Sequence, residues 1–406
     1  MINRIPAAPW LLCALLLGAC GGGGGSTSSG GPAPPANTLA VVVDQGPAGL
    51  LAVNRIAVNT LYATVTLCTP GSTTACQQID HVQVDTGSVG LMIMAEVLNG
   101  MATPQALSDP VSGNQLRECV QFADGYTWGS MVLADVQIAG RTLARLPVHL
   151  IGDSAAGAAP ANCVSGPAES TVATFGANGV LGIQNFLNDC PACVTTAVPA
   201  AYYICPNNVC IATKVALADQ VQNPVAAFAS DSNGVVISLP AVTAPGAVSV
   251  SGTIYFGIGT QSNNGLGAAQ LLTLDGFGQL LTTYGGVTTG GSVIDSGSNG
   301  YFFTTSALAV CTDYTSFYCP AASTPVAATI QGQNGVMKPV SFTVDNTDQL
   351  LKVNATAYPT LAGPNSGLGA TSGSFDWGLP FFYGRKVYVL FENGAIGGTS
   401  GPAVGF

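Results

Sequence analysis

The sequence predicts a mostly β protein with two similar halves. Charged residues make up only 7% of the chain and hydrophobic residues 48%, a composition that argues against disorder. The chain also contains 52 glycines and 25 prolines, which is typical of many short strands joined by tight turns. An apolar strand that ends in an acid and a small-residue turn occurs twice, at Asp85 and Asp295, 210 residues apart (295 − 85). The 406 residues provide for two lobes, each with its own core.

The N-terminal segment has the pattern of an export signal. Arg4 precedes an apolar stretch that begins at Trp10 and is too short to span a bilayer. We therefore predict that residues 1–19 are a signal peptide. The run Leu17–Cys20, with the cysteine directly after small residues, resembles a bacterial lipoprotein box.

This resemblance implies that Cys20 becomes the acylated N-terminus. Residues 20–37 are rich in Gly, Ser and Pro, so we expect a flexible tether. The alternative is an ordinary signal peptide that happens to contain Cys20. With the lipid, the protein is exported and anchored at the bacterial cell envelope, at the outer membrane or the periplasmic face. It then contacts the membrane through the lipid anchor only.

After the tether the chain reads as short β-strands. Met131–Leu150 alternates apolar and polar residues around the turn Ala139–Arg141, which predicts a hairpin. We place the N-terminal lobe at residues 38–232 and the C-terminal lobe at residues 233–406. A short helix is expected near Lys214–Val221. Further strands are predicted at Leu39–Val43, Ile56–Leu67, Val82–Val84, Val235–Leu239, Thr253–Ile258, Leu271–Leu274, Val340–Val344 and Val387–Phe391.

The two acid-bearing turns are the most informative stretches. Burying a carboxylate at the end of an apolar strand is costly unless hydrogen bonds meet it, and small-residue turns offer backbone N–H groups and hydroxyls. Since there is one such turn in each half, we expect the two acids to meet across a pseudo-twofold axis. A helix is expected to begin at Thr305 or Ser306. The turns are Asp85, Thr86, Gly87 and Ser88, and Asp295, Ser296, Gly297 and Ser298.

Both turns resemble the catalytic loops of pepsin-like aspartic peptidases, and the resemblance runs from about Val82 to Glu392. Gly179–Ile183 and Trp377–Pro380 are similar to the two segments that support the catalytic loops. In this sequence Pro380 stands where the family has Gly, and Met92 stands where the family has an aromatic residue behind the flap tyrosine. The tyrosine-bearing flap, which would bind substrate, is matched by Tyr126, Thr127, Trp128 and Gly129.

The resemblance implies a two-lobed pepsin-like fold with pseudo-twofold related lobes and an endopeptidase that cleaves extended polypeptides without metal or cofactor. Asp85 and Asp295 would be catalytic, and the Thr86 and Ser296 hydroxyls would reach across to the opposite loop. Two carboxylates about 4 Å apart repel by about 4 kcal/mol at an effective dielectric constant near 20, so the pair would hold one proton. One carboxyl could then accept a proton from water while the other donates one. The alternative is a silent scaffold that binds a polypeptide or polysaccharide without cleaving it.

The cysteine count favours disulfides. Ten cysteines follow the signal region, an even number, and an exported protein meets an oxidising compartment. Cys68 with Cys76 and Cys311 with Cys319 are the easiest local pairs. A zinc site is the alternative for the group Cys190, Cys193, Cys205 and Cys210, although the compartment favours disulfides there too.

Charge and histidine content exclude other classes. The net charge of −10 and the lack of Lys/Arg clusters argue against nucleic-acid binding. A Ser/His/Asp hydrolase would need His81 or His149 as its base, with Ser88 or Ser298 as nucleophile. Neither serine lies in a Gly-x-Ser-x-Gly elbow, so we predict structural roles for both histidines. A monomer is expected.

Overall fold

The computed structural model describes residues 4–6, 37–365 and 373–406. The predicted lipidation site, Cys20, and most of the predicted signal peptide and tether lie outside these residues. Asn37, which we assigned to the tether, is buried, and its side-chain amide donates to Phe256 O at 3.2 Å. The tether prediction is therefore one residue too long, because this amide is tied into the folded body.

The N-terminal half is a β-barrel. Tyr126–Ile138 pairs with Arg141–Ile151 as the predicted hairpin and also with Leu61–Cys68, which closes a ring of strands. The ring continues through Val89–Met94, Gly179–Ile183 and Cys76–Asp85. The strands that extend or flank the barrel are Gln105–Ala106, Leu116–Gln121, Tyr202–Ile204 and Ile211–Ala212.

A row of antiparallel strands connects the barrel to the second half. Thr38–Val43 pairs with Leu61–Cys68 on one side and with Val250–Phe256 on the other, so the first strand of the folded body joins both halves. The row then passes through Gly234–Ser238, Lys386–Leu390, Ala403–Gly405 and Leu271–Thr273.

The C-terminal half has its own seven-stranded sheet. Its strands, in spatial order, are Met337–Val344, Thr324–Gln331, Leu280–Tyr284, Val287–Ile294, Phe375–Trp377, Tyr301–Phe303 and Ala362–Gly363. Two small ribbons complete the strands, Arg4–Pro6 with Arg55–Ala57 and Ala395–Ile396 with Thr399–Ser400. The main core cluster contains side chains from both halves, among them Val84, Leu181, Ile294 and Trp377.

Helices are few and short in the described ranges, and none there is long and apolar enough to cross a membrane. The α-helices are Ala48–Leu51, Val172–Phe175 and Thr347–Leu350. The 3-10 turns are Ala95–Val97, Ser154–Ala156, Pro191–Val194, Pro206–Asn208, Leu217–Asp219 and Leu379–Phe382.

Two helix predictions are wrong. No helix begins at Thr305 or Ser306, because the Cys311–Cys319 disulfide and the bridge between Val310 and Tyr318 draw this segment into a loop. The helix predicted at residues 214–221 is reduced to one 3-10 turn. There the Val221 N–H donates to the Tyr202 hydroxyl at 2.7 Å instead of continuing a helix.

The disulfide prediction is confirmed. Cys68 pairs with Cys76 and Cys311 with Cys319, as the local spacing indicated. The four cysteines considered for zinc form two short-range disulfides, so their sulfurs are not thiolate ligands. The remaining pairs are Cys119–Cys163, Cys190–Cys193 and Cys205–Cys210.

Candidate active site

The N-terminal half places an acid at the end of a buried strand. Asp85 ends Cys76–Asp85, and the chain returns through Val89–Met94. Gly179–Ile183 lies between these two strands, parallel to the first and antiparallel to the second, with Gly182 opposite Asp85. The acid-bearing turn is therefore held by a strand that comes from far along the chain.

The C-terminal half repeats this arrangement. Asp295 directly follows Val287–Ile294, and the chain returns through Tyr301–Phe303. Phe375–Trp377 lies between them, again parallel to the first strand and antiparallel to the second. The Asp295 N–H donates to Trp377 O at 3.1 Å. Both halves thus build the same supported turn.

The two turns are joined by reciprocal hydrogen bonds. The Thr86 N–H donates to Ser296 Oγ at 3.1 Å, and the Ser296 N–H donates to Thr86 Oγ1 at 2.8 Å. The hydroxyls also donate across the interface, Thr86 to Ile294 O at 3.0 Å and Ser296 to Val84 O at 2.9 Å. Both side chains are buried. This network fixes the two turns relative to each other.

A glycine in each turn allows the carboxyls to come together. The Gly87 N–H donates to Asp85 Oδ1 at 2.7 Å, and the Gly297 N–H donates to Asp295 Oδ1 at 2.8 Å. A Cβ atom at Gly87 would lie 2.8 Å from Asp295 Oδ1, and one at Gly297 would lie 2.5 Å from Asp85 Oδ1. Each glycine is therefore required by the close approach of the opposite carboxyl.

The two carboxyls are neighbours. A Cβ atom at Gly297 would lie 2.5 Å from Asp85 Oδ1 and 3.1 Å from Asp295 Oδ1, so both oxygens border the same small space. The Ser88 hydroxyl donates to Asp85 Oδ2, and the Ser298 hydroxyl donates to Asp295 Oδ2 at 2.8 Å. Burial, and after it the adjacent Asp295 charge, raises the pKa of Asp85 well above its usual range. The pair therefore retains a proton at pH values where an exposed aspartate has lost it.

A third acid, Asp376, stands beside this pair. Its side chain is 7% exposed, and the Ser298 hydroxyl lies 2.6 Å from its Oδ2. Burial, and after it the Asp295 charge, raises the pKa of Asp376 well above its usual range. Sequence reasoning missed this residue. The signal available was an acid between two aromatic residues, Phe375 and Trp377, directly before the segment Trp377–Pro380 that was treated as a support.

The second support accommodates Pro380 without loss. A Cβ atom at Gly378 would lie 2.2 Å from Gly300 O, so Gly378 is the glycine that close approach to the loop requires. Pro380 lies in the 3-10 turn Leu379–Phe382, near its start, where a missing N–H is tolerated. The Leu379 N–H donates to Ser298 O at 2.7 Å and ties this turn to the catalytic loop.

A cleft of about 560 Å³ contains both acids and is lined from both halves. Its lining mixes polar and apolar side chains, which suits a polypeptide better than a purely apolar ligand. Besides Asp85, Asp295 and Asp376, the lining includes Gln83, Phe122, Glu169, Leu274, Val293 and Ser316.

The predicted flap residues lie on a hairpin, and the Tyr126 and Trp128 side chains face away from the cleft. The Phe122 N–H donates to Gly125 O at 2.8 Å and closes the hairpin turn, and Gln121 pairs with Tyr126. The Tyr126 and Trp128 side chains pack in a cluster that includes Cys163, on the face of the hairpin that is turned away from Phe122. None of the four predicted flap residues, Tyr126, Thr127, Trp128 and Gly129, is among the described residues that line the cleft.

Phe122 is the aromatic residue at the hairpin tip that reaches the cleft. Its ring lies edge-on to the Phe175 ring, with centroids 5.7 Å apart, and both residues line the cleft. Phe122 also packs against the apolar cluster that contains Met92. An apolar Phe needs no hydrogen-bond partner, so Met92 is a suitable neighbour behind it.

The histidines lie away from the cleft. His149 is fully buried, with Nδ1 3.1 Å from Glu118 Oε2. Burial raises the pKa of Glu118 to about 8 and lowers the pKa of His149 to about 3. His81 contacts Asp44 at 3.3 Å and the Tyr62 ring at 5.0 Å between centroids. Neither histidine is among the described residues that line the cleft, as their predicted structural roles require.

Comparisons with known proteins agree with this geometry at the level of the fold. The aspartic proteinase from Irpex lacteus is similar in structure, with a TM-score of 0.52 and 14% sequence identity over 91% of this chain and 96% of that chain. Such a likeness shows a two-lobed β fold of the aspartic-proteinase type and leaves the activity open. The search of curated proteins returned no significant match. The chain belongs to the family described as "Protein of unknown function (DUF3443)", whose model matches residues 33–406.

Proposed function

We propose that the protein is an aspartic-type endopeptidase that hydrolyses extended polypeptides in the cleft between its lobes. The observation that carries this proposal is the close approach of the Asp85 and Asp295 carboxyls, which both line the cleft. Each carboxyl also accepts a turn N–H and a serine hydroxyl. An acid pair of this kind needs no metal or cofactor to activate water.

The chemistry follows from one shared proton. The ionised carboxyl of the pair accepts a proton from a water molecule as the water oxygen attacks the scissile carbonyl carbon. The protonated carboxyl donates to the carbonyl oxygen, which gives a tetrahedral gem-diol. The C–N bond then breaks as the amine nitrogen takes the proton that the first carboxyl accepted from water. The other carboxylate accepts a proton from a gem-diol hydroxyl, which gives the carboxylic acid product and returns the pair to its starting state. Roles are assigned to the pair as a unit, because its titration belongs to both residues.

The surrounding residues hold this unit in place. The bonds between Thr86 and Ser296 fix the separation of the two turns, and Gly87 and Gly297 leave room for the carboxyls. Positioning of this kind supplies much of the rate enhancement in such reactions. Phe122, at the tip of the flap hairpin, is the residue we propose to close over the substrate chain.

The experiment is peptide cleavage by the purified full-length chain. The wild-type protein should cleave an unbiased peptide mixture between roughly pH 3 and 7, the range over which the pair can hold one proton. A statine-type transition-state analogue should inhibit, and chelators should not. Asp295→Asn should remove activity with little change in melting temperature, because it destroys the proton-sharing pair.

The matched control is Asp313→Asn, which changes an exposed acid in the same half and should keep full activity. If well-folded wild-type protein cleaves nothing over this pH range, the endopeptidase proposal fails. The alternative, a scaffold that binds a polypeptide or polysaccharide without cleaving it, then takes its place.

We also propose that the protein acts at the bacterial cell envelope, anchored by lipid on Cys20. The support is the run Leu17–Cys20 followed by a Gly-rich segment. In a bacterial host the wild-type chain should incorporate labelled fatty acid, and Cys20→Ser should not. Two or more acyl chains give stable anchoring, so the label should follow the membrane fraction. An unlabelled wild-type protein in the soluble fraction would refute the anchor.

A further inference from the structure

Asp376 places a third carboxyl beside the two carboxyls that the proposed reaction uses. It lies on the strand Phe375–Trp377, directly opposite Val293, and it lines the same cleft as Asp85 and Asp295. Its Oδ2 lies 2.6 Å from Ser298 Oγ, and the same Oγ lies 2.8 Å from Asp295 Oδ2. One serine hydroxyl therefore bridges two carboxyls.

The proton count at this bridge is decisive. A serine hydroxyl has a single hydrogen, so it donates to one carboxyl only. If Ser298 donates to Asp295, its contact with Asp376 needs a hydrogen from Asp376. If both acids were ionised, Ser298 Oγ would have a hydrogen to share with only one of them. Its contact with the other carboxylate oxygen would then have no hydrogen between the two atoms. At least one of the two acids therefore carries a proton while the bridge is intact.

Burial identifies Asp376 as that acid. Asp376 Oδ1 is buried, and no described residue hydrogen-bonds to it. Leaving a charged oxygen in that state costs much more than leaving a neutral carbonyl oxygen there. Among the described residues, the titrating groups whose charges act on Asp376 are Asp295 in its own lobe and Asp85 across the cleft, and both are acids. Arg55 lines the cleft too, but its guanidinium donates to Ala173 O at 3.2 Å.

The N-terminal loop provides an internal reference. Val180 holds the matching position, opposite Gln83, and each of these opposing residues stands two places before its catalytic acid. Ser88 therefore contacts one carboxyl, that of Asp85. The fold is built with Val at this position in one lobe, so the acid in the other lobe is not required by the backbone arrangement.

We propose that Asp376 is a positioning residue that carries a second proton and donates it to Ser298 Oγ, so that Ser298 in turn donates to Asp295. The inference rests on the proposed peptidase function. It adds that the active site holds two protons on three carboxyls. A donor that itself receives a hydrogen bond is a stronger donor, so the Asp376 proton strengthens the hydrogen bond that Ser298 donates to Asp295. Loss of the Asp376 proton would add a negative charge and reverse this effect, which ends activity on the alkaline side.

The test compares kcat/KM against pH for the wild-type chain and Asp376→Asn. The amide of Asn supplies an N–H to Ser298 and cannot ionise. At the acidic plateau this variant should keep activity within about threefold of wild type, and its alkaline limb should move up by about half a pH unit or more. Asp376→Val, which copies Val180, should lose about tenfold at the plateau because Ser298 receives no hydrogen bond.

A second readout does not depend on activity. The folded state holds the Asp376 proton more tightly than the unfolded chain, so this carboxyl destabilises the wild-type fold increasingly as pH rises above about 4. The melting temperature of Asp376→Asn relative to wild type should therefore rise by about 2 °C or more between pH 4 and 7. Asp376→Val should show the same trend, and it serves if the Asn variant does not fold.

The two readouts separate the proposals. If the wild-type chain cleaves no peptide but the relative melting temperatures rise with pH, the proposal of a second proton on Asp376 stands and the peptidase function falls. If the wild type cleaves and Asp376→Asn leaves the alkaline limb and the melting difference unmoved, the proposal for Asp376 is overturned. A loss of about a hundredfold or more in Asp376→Asn at every pH would also overturn it, because the residue would then act as an ionised carboxylate.

Discussion

The two acid-bearing turns share one backbone plan and differ in the strand that supports each of them. In the N-terminal half this strand presents Val180, which packs in an apolar cluster with Met92 and Met94. In the C-terminal half the matching position holds Asp376, which contacts Ser298. Since the same turn forms over an apolar and an acidic neighbour, the local fold depends on the strand's backbone and glycine. The side chain at this position can therefore differ between the halves, and in the C-terminal half it changes the electrostatic environment of Asp295.

The filling behind the turns differs as well. The C-terminal loop is supported by stacked aromatic rings, with centroids 4.7 Å apart between Phe303 and Phe375 and 4.8 Å apart between Phe375 and Trp377. Behind the N-terminal loop the matching space is filled by methionine and aliphatic side chains, which adapt to irregular gaps. The adaptable filling lies in the half that also carries Phe122 and the flap hairpin.

Of the variants that test this comparison, the largest effect is expected from adding a methyl group to the glycine of either turn. In Gly297→Ala the Cβ would lie 2.5 Å from Asp85 Oδ1, and in Gly87→Ala it would lie 2.8 Å from Asp295 Oδ1. A carboxyl must then move, and a shift of about 1 Å at a reacting group can cost about a hundredfold. We expect kcat/KM to fall by about that factor or more in both, with Gly297→Ala the worse.

The matched control for this pair is Gly265→Ala, where the added Cβ meets no atom within 4 Å. It should keep wild-type kcat/KM and melting temperature. Normal activity in Gly297→Ala would show that the carboxyls are not as closely paired as the structure has them.

A second variant places an acid in the N-terminal supporting strand, at the position that matches Asp376. Val180→Asp places a carboxyl among Met92, Met94 and Ile151. A buried unpaired charge is expensive, so we expect the free energy of unfolding to fall by about 3 kcal/mol or more at pH 7. Its folded-state pKa would lie above the unfolded value, so the deficit should be smaller below about pH 4, where the carboxyl is neutral, and should grow as pH rises. Urea unfolding at pH 4 and 7 measures this.

Val180→Asn is the control for that variant, since it is equally polar and does not titrate. Its deficit should be the same at both pH values. A deficit in Val180→Asp that does not change with pH would mean that the new carboxyl reaches water, and the Val180 position would then be a poor reference for Asp376.

Two alanine variants compare the two faces of the flap hairpin. Phe122→Ala removes a ring that lines the cleft, and we expect kcat/KM to fall about tenfold with little change in melting temperature. Tyr126→Ala removes a ring from the cluster with Trp128 and Cys163. It should lower the melting temperature, and activity should fall only in proportion to folded protein. The reverse pattern would restore Tyr126 as the flap residue.

The smallest effect is expected for Glu118, a buried acid on the strand Leu116–Gln121 of the flap hairpin. Burial raises the pKa of Glu118 to about 8, above its unfolded value, so its destabilising effect grows as pH rises from about 4.5 to 8. Glu118→Gln should therefore gain a few degrees of melting temperature relative to wild type between pH 5 and 8. A constant offset across this range would contradict the buried neutral state of Glu118.

Local sequence signals predicted the acid-bearing turns and the short-range disulfides well. The strand, acid and Gly-containing turn are contiguous at Asp85 and again at Asp295, and Cys68 and Cys76 are only eight residues apart. Whether the two acids catalyse a reaction stays a prediction. The role of Asp376 was not predicted, because its contact with Ser298 forms only when a strand from 78 residues further along the chain inserts beside the turn.

Sequence reasoning overlooked Phe122 for a geometric reason. Side chains alternate between the faces of a strand, so a shift of one residue at the turn exchanges the faces. The sequence does not reveal that the turn closes between Phe122 and Gly125, which sends Phe122 to the cleft and Tyr126 to the opposite face. The expected helix at Thr305 failed because a disulfide contact outweighed a local capping preference.

The central claim is that Asp85 and Asp295 act as one proton-sharing unit. The most direct test is a double-mutant cycle with Asp85→Asn, Asp295→Asn and both together, in which kcat/KM is measured on one peptide at the optimum pH. Each single variant should lose about a thousandfold or more, and the double variant should be hardly worse than either, because residues that act as a unit are non-additive. Losses that multiply in the double variant would contradict the account, because the two acids would then contribute independently.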